Sequence, residues 1–402
     1  MAETLTEFQS LISQVSGYIY PNELELHWGL LIVVYPYITG LVAGAFILAS
    51  LAKVFRVKEI VPTYRLALLI ALSFLIVAPL PLLAHLGHPE RSLEIFFTPQ
   101  LTSAMAMFGF VYVWYLAVVL LLEIWFEYRA DMIGWSQQKR GLGRIFYKVI
   151  SLGSTDLSEE SKTFDKKAVY FITMVGIPSA FILHGYVGFI FGSVKANPWW
   201  SSVLMPIVFL FSAIVSGIAL VFLLYYIVTL VRGLKPDMAC LNKLAMFLMV
   251  ALIVDLSLEL LDFLHRLYES EESITILSEL IVSKLFISLT IVQILIGSIV
   301  PLLLLIFPRV YKLPDELRRI CFFIAALLIQ VGIFSTRWNV VIGGQLFSKS
   351  LRGLTVYKME IGGIEGLLAS IGFLILPFII LYILVKILPP WDEARAAGSE
   401  II

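Results

Sequence analysis

Three carboxylates interrupt an otherwise apolar stretch of this sequence. Asp255, Glu259 and Asp262 are spaced by four and three residues, which places them on one face of a helix. The stripe rises about 10 Å along that helix, at about 1.5 Å per residue. Carboxyl groups exchange protons, so the spacing predicts a proton path. The structural alternative is that the acids pair with a neighbouring helix, for example through Lys284.

The five histidines form a second candidate group, because each lies near an end of a long apolar stretch. They are His27, His85, His88, His184 and His265. Histidine titrates closer to neutral pH than other side chains, which suits a site that handles protons. Arg337 ends another apolar stretch, and we include it with the histidines as a candidate binding residue.

Composition indicates which elements must position these residues. Hydrophobic residues make up 60% of the 402 residues, charged residues make up 14%, and the mean hydropathy is +0.94. A soluble domain has about 45–50% apolar and about 25% charged residues. We therefore predict a polytopic all-α bundle in the lipid bilayer. The net charge is zero, so nothing in the composition indicates a nucleic-acid partner.

Apolar runs long enough to cross a bilayer predict about nine spans, because a helix satisfies its own backbone hydrogen bonds in hydrocarbon. The predicted spans are 30–52, 64–86, 103–127, 168–192, 203–232, 241–267, 281–307, 316–336 and 364–388.

Loop charges then predict the orientation. Lysine and arginine favour the cytoplasmic side, and they are concentrated in alternate loops, most strongly around residues 128–167. We expect a protein of the cytoplasmic membrane with its N-terminus outside and its C-terminus inside. All five histidines and Arg337 then lie in the outer half, a location that favours a site near the outer surface.

We expect one integral membrane domain over residues 1–402. It would comprise an outer N-terminal segment (1–28), a cytoplasmic loop (128–167), an outer loop (337–363) and a cytoplasmic tail (389–402). Four basic residues in 337–363 break the charge pattern, so this loop is either a folded outer segment or a tenth span. A shift of 177 residues aligns Gly40 with Gly217 and His88 with His265, which favours two related four-helix bundles.

Cysteine usage limits the cofactors that this chain can hold. Cys240 and Cys321 lie far apart and form no CxxC or CxxCH pattern. An iron–sulfur cluster needs about four thiolates, and covalent haem needs its own motif. We therefore expect no iron–sulfur cluster and no metal site in this chain, so its electrons would have to pass to or from another subunit.

The run His85-Leu-Gly-His-Pro-Glu-Arg91 follows the second apolar stretch, and Thr102-Ser103-Ala-Met105 comes shortly after it. Together these segments resemble the HLGRPxR … TSxM pattern of the NrfD/PsrC family, with His88 where arginine is usual. The members of that family are membrane subunits of polysulfide-reductase-type complexes. Residues 26–46, 176–188 and 198–206 are similar too, and residues 337–345 resemble the longer DsrP and HybB type.

The resemblance implies a quinone- or menaquinone-binding subunit of an anaerobic respiratory oxidoreductase of the sulfur-metabolism type. It also implies a ferredoxin-like iron–sulfur subunit on the outer face, together with other membrane subunits of the complex. The quinone pocket of the family lies near that face, and motif matching places His27, His85 and Tyr186 in it. His184 and Arg337 complete the candidate quinone-binding set, while Asp255, Glu259 and Asp262 would carry protons.

Two other functions stay open at this point. One is a b-type haem protein in which two of His85, His184 and His265 are the axial ligands, which requires paired histidines at one depth. The other is a secondary transporter that uses the stripe of three carboxylates. We expect quinone rather than haem b as the bound group.

Overall fold

The computed structural model describes residues 12–100, 102–269 and 273–391. Within these ranges, nine helices are long and apolar enough to cross a membrane, and we number them spans 1–9. They are Leu30–Lys53, Lys58–His85, Met107–Gln138, Glu159–Gly192, Met205–Val231, Met238–Tyr268, Phe286–Val310, Asp315–Gln345 and Leu367–Ile387. These bounds confirm the predicted all-α polytopic bundle.

Several spans contain more than one helical type. Span 2 combines a 3-10 turn (Lys58–Thr63) with helices Tyr64–Val77 and Leu80–His85, which meet at Pro79. Span 3 runs from helix Ala104–Trp114 through a π-helix (Tyr115–Leu121) into Leu122–Gln138, and span 7 begins as a π-helix (Phe286–Ile299) before Val300–Val310. Span 8 is Asp315–Val341 followed by the 3-10 turn Gly343–Gln345. π-Helical segments often occur at functional sites.

Spans 1–4 and spans 5–8 form two four-helix groups with the same pattern of neighbours. In the first group, span 1 packs against spans 2 and 4, and span 3 packs against span 4. In the second, span 5 packs against spans 6 and 8, and span 7 packs against span 8. The third span of each group carries the π-helix. This arrangement agrees with the two related bundles that the sequence predicts.

The two groups meet most extensively where span 1 crosses span 5. Gly44 faces Gly217 there, and a Cβ atom on either residue would overlap with the backbone of the other helix. Spans 7 and 8 cross in the same way at Gly297 and Gly332. Small residues allow membrane helices to approach closely, so these glycines set the distance between the helices that carry the candidate site.

Residues 337–363 form a folded segment. Span 8 continues to Gln345, and strand β2 (Arg352–Leu354) then pairs antiparallel with strand β1 (Ser16–Tyr18), with Gly17 opposite Gly353. Of the two alternatives for this loop, the tenth span is therefore wrong for the described residues. The connecting segments also contain short helices: Pro21–Glu23, Pro89–Arg91, Glu94–Phe97, Leu142–Ile150 and Ile274–Ser283.

The loops that leave spans 1, 3, 5 and 7 share one face of the bundle, which we call the basic face. Buried or half-buried ion pairs tie it together, among them Arg129–Asp165 and Arg65–Asp131. The N-terminal strand and residues 346–366 lie on the opposite face. Parts of the predicted segments 1–28 and 389–402 fall outside the described residues, as do residues 270–272 of the loop after span 6.

Candidate functional site

The structure brings Arg337 of span 8 against His184 of span 4. Both side chains are fully buried, and Nη2 of Arg337 lies 3.3 Å from Nε2 of His184. The same nitrogen donates to Oγ of Ser212 at 2.6 Å, and the guanidinium group stacks on the ring of Phe209, 4.1 Å from its centroid. Gly40 of span 1 leaves the space for the imidazole ring. The pair therefore lies where the two four-helix groups meet.

The direction of this hydrogen bond fixes the form of His184. Arginine has donors and no acceptor, so Nε2 of His184 must accept, and the ring hydrogen lies on Nδ1. Among the described residues, that Nδ1 has no hydrogen-bond partner, and neither do Nε and Nη1 of Arg337. Buried polar groups of this kind are rare, and a functional role is one reason for them.

The predicted carboxylate stripe lies on span 6 next to this pair. Asp255 is 3% exposed, and its Oδ1 has no partner in the described part of the chain. Asp255 and Glu259 are both close enough to Arg337 to interact with it electrostatically. The two acids therefore lie within electrostatic range of the buried guanidinium group, and no direct ion pair joins them to it in the described ranges.

Glu259 ends a chain of side-chain hydrogen bonds. Its two oxygens accept from Nε2 of Gln293 at 3.2 and 3.1 Å. Oε1 of Gln293 accepts from Nδ2 of Asn339 at 2.7 Å, and Oδ1 of Asn339 accepts from Ser288 at 2.6 Å. Every donor in the chain points toward Glu259. Sequence reasoning missed Gln293 and Asn339, although polar amides within apolar spans are a usable signal.

Asp262 has different surroundings from the other two acids. It pairs with Arg266 at 3.1 Å and accepts a hydrogen bond from Ser202. Arg266 also donates to the carbonyl of Pro198. The suggested structural partner, Lys284, instead donates to the carbonyl oxygen of Gln14 at 3.3 Å.

A cavity of about 500 Å³ lies beside Glu259 and Asp262, the second and third acids of the stripe. Its polar groups include Glu259, Asp262, Gln293 and Asn339, and most of its other lining residues are apolar. Leu260 and Phe263 also line it and are 56% and 41% exposed. Because they lie on a membrane-spanning helix, the cavity opens toward lipid.

The remaining predicted residues lie apart from the Arg337–His184 pair. His27 lines a second cavity of about 340 Å³, beside the stacked rings of Trp28 and Trp200 and the side chain of Gln345. His85 is bonded through Nδ1 to Glu365 at 2.8 Å.

Tyr186 belongs to an aromatic cluster within spans 1, 3 and 4. Its ring stacks on Phe108, which contacts the ring of Tyr35 edge-on. The Tyr35 hydroxyl is buried and lacks a hydrogen-bond partner among the residues described. The cluster thus combines a flat apolar surface with phenolic groups.

Comparison with known proteins gives concordant matches over most of the chain. The sequence pattern of the family described as polysulphide reductase, NrfD, matches residues 21–349. A selenate reductase subunit from Mesobacillus selenatarsenatis is 31% identical over 355 residues, which cover 84% of this chain and 80% of that protein. The Hdr-like menaquinol oxidoreductase integral membrane subunit of Archaeoglobus fulgidus is 24% identical over 352 residues, or 85% and 77% of the two chains.

Proposed function

This chain belongs to the polysulphide reductase NrfD family and is a membrane subunit of an oxidoreductase complex, and on that premise we propose that it reacts with quinone. It exchanges electrons between the membrane quinone pool and an iron–sulfur partner on the face opposite the basic face. The quinone that we propose is menaquinone. That face is the outer one, and the basic face is cytoplasmic. Relatives named for selenate reductase and menaquinol oxidoreductase support a respiratory role.

The quinone ring binds near the outer ends of spans 1, 2 and 4. His27, His85 and Tyr186 offer hydrogen bonds there, and the Tyr35–Phe108–Tyr186 cluster offers a flat apolar wall. A quinone needs an apolar slot and donors for two carbonyl oxygens, and these are the roles that we assign to these residues. We assign the sulfur-metabolism chemistry of the complex to the partner subunits.

Protons travel through the centre of the bundle. Each conversion of quinol to quinone releases two electrons and two protons, so a quinone subunit needs groups that accept protons. The observation that carries this proposal is the buried Arg337–His184 pair beside Asp255 and Glu259. His184 and Arg337 couple the quinone region to the three carboxylates, and Asp262 lies at the outer end of that path.

The test uses the intact complex in lipid vesicles with two electron donors. His85→Ala should lower quinol-driven turnover about 10²-fold, because it removes a group that binds the ring and handles its proton. A soluble dye that reduces the partner subunits directly should support unchanged turnover. His88→Ala is the matched control, since His88 lies in the same motif but is bonded to Glu90 at the exposed surface. Equal rates of quinol-driven turnover in the wild type, His85→Ala and His88→Ala would contradict this placement of the quinone.

A further inference from the structure

Span 3 carries a second column of acids, which sequence reasoning did not detect. Glu123, Glu127 and Asp131 follow one another at intervals of four residues and run from the interior toward the basic face. Glu123 is 0% exposed. Its Oε1 accepts hydrogen bonds from Tyr64 at 2.9 Å and Thr173 at 2.8 Å, while Oε2 has no partner in the described ranges.

The contacts of Thr173 suit either protonation state of Glu123. The Thr173 hydroxyl lies 2.8 Å from Glu123 and 2.7 Å from the carbonyl of Val169, but it has one hydrogen. If Glu123 is ionised, Thr173 donates to the carboxylate. If Glu123 is protonated, it donates to Thr173, which then donates to Val169. Exchange between the two forms needs no movement of heavy atoms.

A cavity of about 530 Å³ reaches this acid column from the basic face. Glu127 lines it together with Lys53, Lys162 and Lys166, and the last two belong to the start of span 4. Glu127 is held by Lys53 and Arg65, both at 2.9 Å. Glu123 lies one turn deeper, about 6 Å along the helix axis. Ions from the solvent can therefore enter the cavity and come within one helical turn of the buried Glu123.

Charged and titratable groups face Glu123 from spans 1 and 2 and from span 3 itself. Lys53 comes from span 1, Tyr64 from span 2, and Glu127 and Tyr115 from span 3. Span 4 contributes the hydroxyl group of Thr173. The Tyr115 hydroxyl is buried and without a partner among the described residues, and Tyr115 precedes Glu123 by eight residues on span 3.

We propose that Glu123 is a proton-loading site that exchanges protons with the basic face through the cavity at Glu127. In the framework of the proposed function, on which this role rests, Glu123 supplies or receives the protons of quinone turnover. Thr173 lies eleven residues before His184 on span 4, about 16 Å along the axis. The proton route from the basic face therefore ends at Glu123, and it is separate from the Arg337–His184 pair.

Glu123→Gln tests the site directly, because the amide keeps the size and hydrogen bonding of the acid but cannot titrate. In the intact complex, the wild-type infrared spectrum should contain a carboxylic-acid band that responds to pH on the basic face, and the variant should lack it. The number of protons exchanged at that face per electron should also fall. Glu160→Gln, at an exposed position on the same face, should match the wild type in both measurements.

Ala130→Trp provides a second variant that leaves Glu123 intact. Ala130 lines the cavity at Glu127, so a bulky ring there should slow the response of the band without removing it. An unchanged band in Glu123→Gln, or an unchanged response rate in Ala130→Trp, would overturn the proposal. The band needs no quinol, so its behaviour is separable from the proposed function, which fails if quinol drives no electron transfer in the wild-type complex.

Discussion

Arg337 donates a hydrogen bond to Nε2 of His184 across a sequence separation of 153 residues. The two residues come from different four-helix groups, so this contact joins the halves of the protein. Because arginine cannot accept, His184 cannot take a proton at Nε2 while Arg337 stays in place. Protonation of His184 on span 4 is thereby linked to the position of the Arg337 side chain on span 8.

Removal of the Arg337 charge should destabilise the protein strongly. Arg337→Met removes the buried hydrogen bonds to His184 and Ser212, and hydrogen bonds to a charged group are worth about 1.5–3 kcal/mol each. Ser212→Ala removes one hydrogen bond to the same guanidinium group and should cost about 1–3 kcal/mol. Denaturant unfolding of the purified protein in detergent would measure both values. A larger loss for Ser212→Ala than for Arg337→Met would contradict the stabilising role assigned to the buried guanidinium group.

The carboxylates of span 6 should act in proton transfer. Asp255→Asn and Glu259→Gln keep size and hydrogen bonding but remove titration, so each should slow proton uptake in vesicles by about 10²-fold. Ser257→Ala changes a polar side chain on the exposed side of the same helix and should have no effect. If both carboxamide variants retain wild-type turnover and proton uptake, the stripe is structural.

Labelling of introduced cysteines should determine the orientation of the chain. Cys240 and Cys321 are first replaced by alanine. Leu152→Cys then places a thiol at an exposed position between spans 3 and 4, and Tyr268→Cys places one at the opposite end of the bundle. We expect an impermeant reagent outside intact cells to label position 268 but not position 152, because basic loops favour the cytoplasm. The reverse pattern would invert the topology.

The glycine crossing of spans 1 and 5 should tolerate no larger residue. Gly217→Val places side-chain atoms into the backbone of span 1 at Gly44, and overpacking of this kind costs about 1–3 kcal/mol or more. Gly372→Val on span 9 is the control, because a Cβ atom there meets nothing within 4 Å. Thermal unfolding should show a lower midpoint for the span 5 variant only. Equal midpoints would show that the two helices can separate without loss of stability.

The sequence predicted the helices better than it predicted their contacts. Long apolar runs have one solution in a bilayer, so the nine spans and the acidic stripe could be located from hydropathy and spacing. The pairing of His184 with Arg337 depends on how two distant helices pack, which periodicity does not encode. Gln293 and Asn339 are uncharged and barely change the hydropathy of their spans. Glu123 and Glu127 lie near the end of a predicted span, where charged residues are common.

Pairing of β1 with β2 also has a consequence for biosynthesis. Strand β1 lies at residues 16–18, and its partner at residues 352–354 leaves the ribosome after eight spans have been made. The N-terminal strand therefore stays unpaired with β2 until nearly the whole chain has been inserted. The two strands can then pair only if spans 1 and 8 have inserted with their strand ends on the same side of the membrane.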